Sequence, residues 1–130
     1  MDSPIKDRET LLRSLDIGDI FHGESTYGVS LICLVTHVDE STIRARAVTT
    51  QLLYQFDRNT GKVLWCSGTD SITGSIDSVT PLPSDIHNTL LGLDRKMRLE
   101  HDEERFKLSQ AEKKALIFVG SYYQENQLPD

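Results

Sequence analysis

Cysteine is scarce in this chain: there are two among 130 residues, far apart as Cys33 and Cys66. Neither belongs to a CxxC or to a Cys/His pair at ligand spacing, which excludes the common zinc-binding and redox motifs. Both are expected as buried thiols, with a disulfide between neighbouring strands as the alternative. Basic charge is also short. The formal net charge is -6, whereas proteins that grip phosphate backbones usually carry a basic surplus, so non-specific nucleic-acid binding is disfavoured. Nothing approaches the ~18 apolar residues of a membrane-crossing helix, and MDSPIKDRETLL lacks the basic and apolar regions of a secretory leader. A cytoplasmic setting without membrane contact is the expectation. The histidines His22, His37, His87 and His101 show no HxxxH or HExxH spacing, and neither G-x-x-x-x-G-K-[ST] nor G-x-S-x-G occurs. No catalytic residue, metal or cofactor is assigned, and the chain is read as non-enzymatic.

What is present is a globular balance, 38% hydrophobic and 26% charged, in a length that suits one domain of roughly 100–150 residues. Ser3 and Pro4 suit an N-cap and a first helical position, and Ile5, Leu11, Leu12 and Leu15 fall loosely on one side, predicting a helix over 1–16. The pattern then turns extended in five runs: 19–23, 27–38, 42–56, 61–67 and 73–82. In the second, Val29, Leu31, Cys33 and Val35 share one face and Ile32, Leu34 and Val38 the other, so this strand should be central. In the third, Ile43, Ala45 and Ala47 alternate with Arg44 and Arg46, and the break at Val48-Thr49-Thr50 predicts a bulge or sharp bend. After Pro81 and Pro83, Ile86, Leu90, Leu93 and Met97 recur at helical spacing behind Ser84. Ser109 and Glu112 then stand in capping-box positions ahead of a second helical stretch, although ALIFV (115–119) alone would also suit a strand.

The expected fold is therefore α+β: a small, strongly bent antiparallel β-barrel of SH3-like shape with about five strands, followed by one long or two shorter C-terminal helices. The single domain divides into an N-terminal helix (1–16), the barrel (17–83), a helical segment (84–123) and a mobile tail (124–130).

Tyr54 to Trp65 carries Asp57, Thr60, Gly61, Lys62, Val63, Leu64 and Trp65 in a pattern that resembles the strand-turn-strand element of quinoprotein-type β-propellers. A propeller needs at least four blades of about 40 residues, and this chain holds one copy, so neither cofactor nor architecture carries over. The local reading is a hairpin corner, with Asp57 bonding amides ahead of it and Gly61 supplying a positive φ. A calcium loop is not completed, because the twelfth position is Gly68.

The leading functional expectation is a protein-interaction module of bacterial or phage-like economy. It has an unidentified protein partner and a capacity to self-associate through Phe106, Leu116, Phe118, Tyr122 and Tyr123 in the apolar C-terminal segment. The first rival is a nucleic-acid-binding barrel using an exposed face of Arg44, Arg46, Tyr54, Arg58 and Trp65, with Lys62 beside it. The bland account of Arg44 and Arg46 is ion pairing with Asp39, Glu40 or a carboxylate on a neighbouring strand. The second rival is a small-ligand binder or enzyme with a pocket near Cys33, His37 and the 68–77 loop.

Overall fold

A computed structural model describes residues 7–25, 28–68, 73–99 and 107–129. Six strands, β1 (Ile20–Ser25), β2 (Ser30–Val38), β3 (Thr42–Ala47), β4 (Leu53–Asp57), β5 (Val63–Cys66) and β6 (Gly74–Ser78), form one antiparallel sheet in the order β5-β4-β3-β2-β1-β6. Helix α1 (Arg8–Arg13) precedes it, and α2 (Ser84–Leu99) and α3 (Gln110–Glu125) follow. The α+β class stands, but the strand count corrects the expected five. The run 42–56 divides because the bend at 48–50 is a complete turn: Gln51 takes a positive φ of 63° and its amide donates to the Ala47 carbonyl at 2.8 Å. The sheet curls until its two edges meet at a bridge between Lys62 and Ser75, where the Ile76 amide donates to the Gly61 carbonyl at 2.8 Å.

β2 is central and buried on both faces, as its continuous apolar run requires. Leu31, Cys33 and Val35 point into the curl with Phe21, Ile43 and Phe56, whereas Ile32 and Leu34 face outward toward Leu90, Leu93 and Val119. The register shifts between Val35 and His37, and this extra residue turns Val38 to the inner cluster although simple alternation puts it outside. Val29, expected within the strand, precedes it and is exposed. Ala45 stands opposite Tyr54, so the small side chain makes room for an inward-facing ring.

α1 begins at Arg8, with the Asp7 carboxylate accepting from the Thr10 amide at 2.8 Å. The expected cap at Ser3 and Pro4 lies outside the described residues. Leu12 and Leu15 are buried in the curl, and Arg8 donates to the carbonyls of Thr60 (2.9 Å) and Ile76 (2.6 Å). The helix thus holds the hairpin corner, where the Asp57 carboxylate accepts from the amides of Asn59 (2.8 Å) and Thr60 (2.9 Å) and Gly61 sits at φ 79°. A Cβ on Gly61 would lie 3.1 Å from Arg8 Nη2 and 3.3 Å from Ile76 Cβ. Gly61→Ala should therefore lower stability by about 1–2 kcal/mol, read as a shifted urea midpoint at constant slope. An unchanged midpoint would mean the corner is not held this way.

Two helices, not one, occupy the C-terminal described residues. α3 opens with a reciprocal capping box between Ser109 and Glu112, which settles ALIFV as helix. Burial opposes ionisation of Glu112, but the Ser109 amide and Lys96, 3.0 Å away, outweigh it and lower its pKa. The tail expected to be mobile is tied down at Leu128, which is buried and whose amide donates to the Asp77 carbonyl at 2.6 Å. Among the described residues no helix is long and apolar enough to cross a membrane.

Candidate functional site

The outer sheet face is divided. α2 and α3 bury Ile20, Leu34 and Val48 on one half, and the boundary is drawn by Arg46. Its guanidinium donates through Nε and Nη2 to the two oxygens of Asp94 on α2, at 2.9 and 2.8 Å, in a two-point fit. Gln51 Nε2 adds a third bond to Asp94 at 3.1 Å, and Arg98 lies 3.5 Å away. Desolvation works against the Asp94 charge, yet these bonds and charges prevail and hold its carboxyl below the ordinary range, while bonding to Asp94 raises the Arg46 pKa.

Beyond Arg46 the face is open. The pairings His37 with Arg44, Arg44 with Gln55, and Gln55 with Trp65 set these residues in one row across β2 to β5, and cross-strand partners share a face. A groove of about 470 Å³ lies there, lined by Thr36, Arg44, Leu53, Gln55 and Trp65 above Ala45 and Tyr54. Leu53 and Trp65 are 45% and 48% exposed, and a register shift in β5 leaves Leu64 outside the pairing and exposed beside them. Arg44 is exposed, and its guanidinium has no hydrogen bond or ion pair among the described residues. Among the described residues the lining holds no carboxylate. Of the acids of the neighbouring turns, Asp39 accepts from the amides of Ser41 and Thr42, which hold its pKa at about 2, Asp57 is lowered by the amides of Thr60 and Asn59, and Glu40 is exposed without an ion pair to Arg44 among the described residues.

The residues singled out from sequence therefore part company. Arg44 and Trp65 meet in the groove. Arg46 is committed to Asp94, so the carboxylate that pairs with it comes from a helix and not from Asp39, Glu40 or a neighbouring strand. Tyr54 faces the core, where burial raises its pKa, and its ring stacks with Phe56 at 5.9 Å. Arg58 spends its fork on the carbonyls of Asp39 (2.6 Å) and Arg13 (3.1 Å). Tyr123 is fully buried and donates to the Ile20 carbonyl at 3.2 Å, so it is core and not a docking residue. Leu116 and Tyr122 pack against the same cluster, with Tyr122 donating to the Pro81 carbonyl at 2.6 Å. Phe118 is 38% exposed and stacks on Tyr122; Phe106 lies outside the described residues.

Cys33 and His37 do not converge. Cys33 is sealed in the curl and its thiol pKa is pushed up by burial, while His37 is exposed, four residues or roughly 13 Å farther along the strand. Both cysteines are free thiols. Part of the 68–77 loop lies outside the described residues. One pair escaped sequence reasoning: His22 Nδ1 lies 2.6 Å from Asp77 Oδ1 beside a polar pocket of about 200 Å³, with Glu24, Ser30, Gln124 and Gln127 around it. The ring lies 5.4 Å from that of Tyr123, so Asp77 fixes the imidazole beneath α3. No local spacing could have signalled a contact created by the pairing of β1 with β6. Among the described residues no group of three or more His, Cys, Asp or Glu is placed to hold a metal ion. Compared with known proteins, the chain matches no family model, no curated protein and no solved structure.

Proposed function

We propose that this protein is a non-enzymatic interaction module that receives a segment of a partner protein on the open half of its outer sheet face. The observation that carries this reading is the groove in which exposed Trp65 and Leu53 flank an Arg44 whose guanidinium has no partner among the described residues. Aromatic residues and arginine dominate the energetics of protein interfaces because each combines large contact area with directional bonding. Small curled barrels of the SH3-like kind, a likeness of shape that belongs to this proposal, take peptides in aromatic-lined grooves. The nucleic-acid alternative loses support from geometry: with Arg46, Arg58 and Tyr54 engaged elsewhere, Arg44 and Trp65 alone do not make a track for a phosphate backbone.

Panning a random peptide library against the full chain tests the reading. Selected peptides should change the emission of Trp65, the only tryptophan, and should lose at least tenfold in affinity for Trp65→Ser, as expected when a central aromatic is removed. Equal binding by wild type and a folded Trp65→Ser variant would overturn it. Self-association through α3 now rests on Ile117 and Phe118, both exposed. Light scattering that finds a dimer dissolved by Ile117→Ser with Phe118→Ser would move the interaction surface to that helix.

A further inference from the structure

From the charge and spacing of this groove we infer that its occupant is a peptide segment carrying a carboxylate for Arg44 and an apolar side chain for Trp65, about one extended-helix turn apart. The inference rests on the reading of the groove as a protein-binding site and specifies the partner's chemistry. Among the described residues, Arg44 places a positive charge in a lining that contains no carboxylate; in the adjoining turns Asp39 and Asp57 already accept backbone amides, and exposed Glu40 makes no ion pair with Arg44. A guanidinium presents a planar fork that fits a carboxylate through two parallel bonds. Gln55, between Arg44 and Trp65 in the row, offers an amide to the backbone of whatever crosses.

The spacing follows from the sheet. Arg44 on β3 and Trp65 on β5 are two strands apart, roughly 9.6 Å at about 4.8 Å per strand. A polyproline-type segment has three residues per turn and rises about 9.3 Å over them, so side chains at i and i+3 share a face at nearly the same separation. A segment lying across the strands can thus set an acidic residue on Arg44 and a phenylalanine or leucine against Trp65 and Leu53 together. On a chain of net charge -6 a single carboxylate meets less repulsion than a long polyanion does.

The test uses the full chain and three pools of capped 12-residue peptides. Each pool has a fixed phenylalanine, randomised flanks, and Glu, Gln or Lys three positions before the phenylalanine. Binding is followed by the fluorescence anisotropy of a dye on the peptides, which also reads the Trp65→Ser variant, and in chains that keep Trp65 by the change in its emission. The Glu pool should bind about tenfold more tightly than the Gln pool, the difference expected of a charge-assisted pair over a neutral one. Arg44→Gln should remove that preference, and Arg44→Glu should transfer it to the Lys pool. Trp65→Ser should weaken all three pools alike. Equal binding of the Glu and Gln pools through Trp65 would overturn the acidic-partner inference while leaving the groove a binding site. Failure of every pool to reach Trp65 would overturn both. A single-stranded oligonucleotide that binds at Trp65 more tightly than the Glu pool would also overturn it, in favour of nucleic acid.

Discussion

Asp94→Ala should cost about 3–4 kcal/mol, because it leaves the largely buried Arg46 guanidinium without its partner. Asp94 is 1% exposed, accepts both nitrogens of the Arg46 fork, and also receives Gln51 from the turn that divides β3 from β4. Removing it therefore releases the helix, the strand and the turn together. Urea unfolding should show the full loss for Asp94→Ala but less than about 1 kcal/mol for Arg98→Ala, whose side chain is half exposed and whose contact is long. Replacing both partners, as Arg46→Leu with Asp94→Leu, should recover most of the loss, since a buried ion pair is worth little over a well-packed apolar pair. The effect has a defined pH sense. The folded carboxyl sits below its unfolded value of about 3.9, so its contribution is complete above roughly pH 4 and disappears as pH falls through the folded value. The gap between wild type and Asp94→Ala should accordingly narrow below about pH 4. A gap of constant size, or none at neutral pH, would mean that Asp94 does not hold α2 to the sheet.

Tyr123→Ala should be comparably severe, about 3–5 kcal/mol, the range for truncating a fully buried aromatic. The ring packs between the outer sheet face and its own helix, touching the rings of His22 and Tyr122, and its hydroxyl reaches the Ile20 carbonyl. Burial raises the phenol pKa, keeping the hydroxyl as a donor. Tyr123→Phe keeps the packing and drops that one bond, so about 1 kcal/mol is expected. Both losses should appear in the thermal or urea unfolding of a dilute chain and be independent of protein concentration. Were Tyr123 a docking residue, Tyr123→Ala would leave unfolding of the dilute chain unchanged and alter only association.

The contrast between Tyr123 and Trp65 shows what the sequence could convey. Both are aromatic residues in extended or helical runs with apolar neighbours, yet one closes the core and the other stands open. Periodicity within a segment finds its apolar face, and it located β2 as a two-sided strand and α2 and α3 as packing helices. It does not say which other segment covers that face. The two cores arise because α2 and α3 fold back on the sheet, so the apolar C-terminal run that suggested a partner is mostly satisfied within the chain. Arg44 and Arg46 make the same point at two residues' distance. They share a strand face and a chemistry, but α2 reaches only one of them, and Asp94 is 48 positions away from Arg46. The turn chemistry, by contrast, was local and legible: Asp57 and Gly61 adopt the roles their types suggest. The expected five strands became six because a bend and a full turn differ only in how far the chain reverses, which depends on Gln51 entering the left-handed region and not on any glycine there.

The C-terminal helices close half of the outer face and leave the half around Trp65 exposed, where the proposed partner would dock. Because Trp65 is the only tryptophan, acrylamide quenching of its fluorescence in the dilute chain examines this division without further labelling. The prediction is a water-like, readily quenched emission that does not change with dilution and becomes shielded when a selected peptide binds. A blue-shifted emission already sheltered from acrylamide would contradict it, showing the groove to be filled by the chain itself or by a second copy.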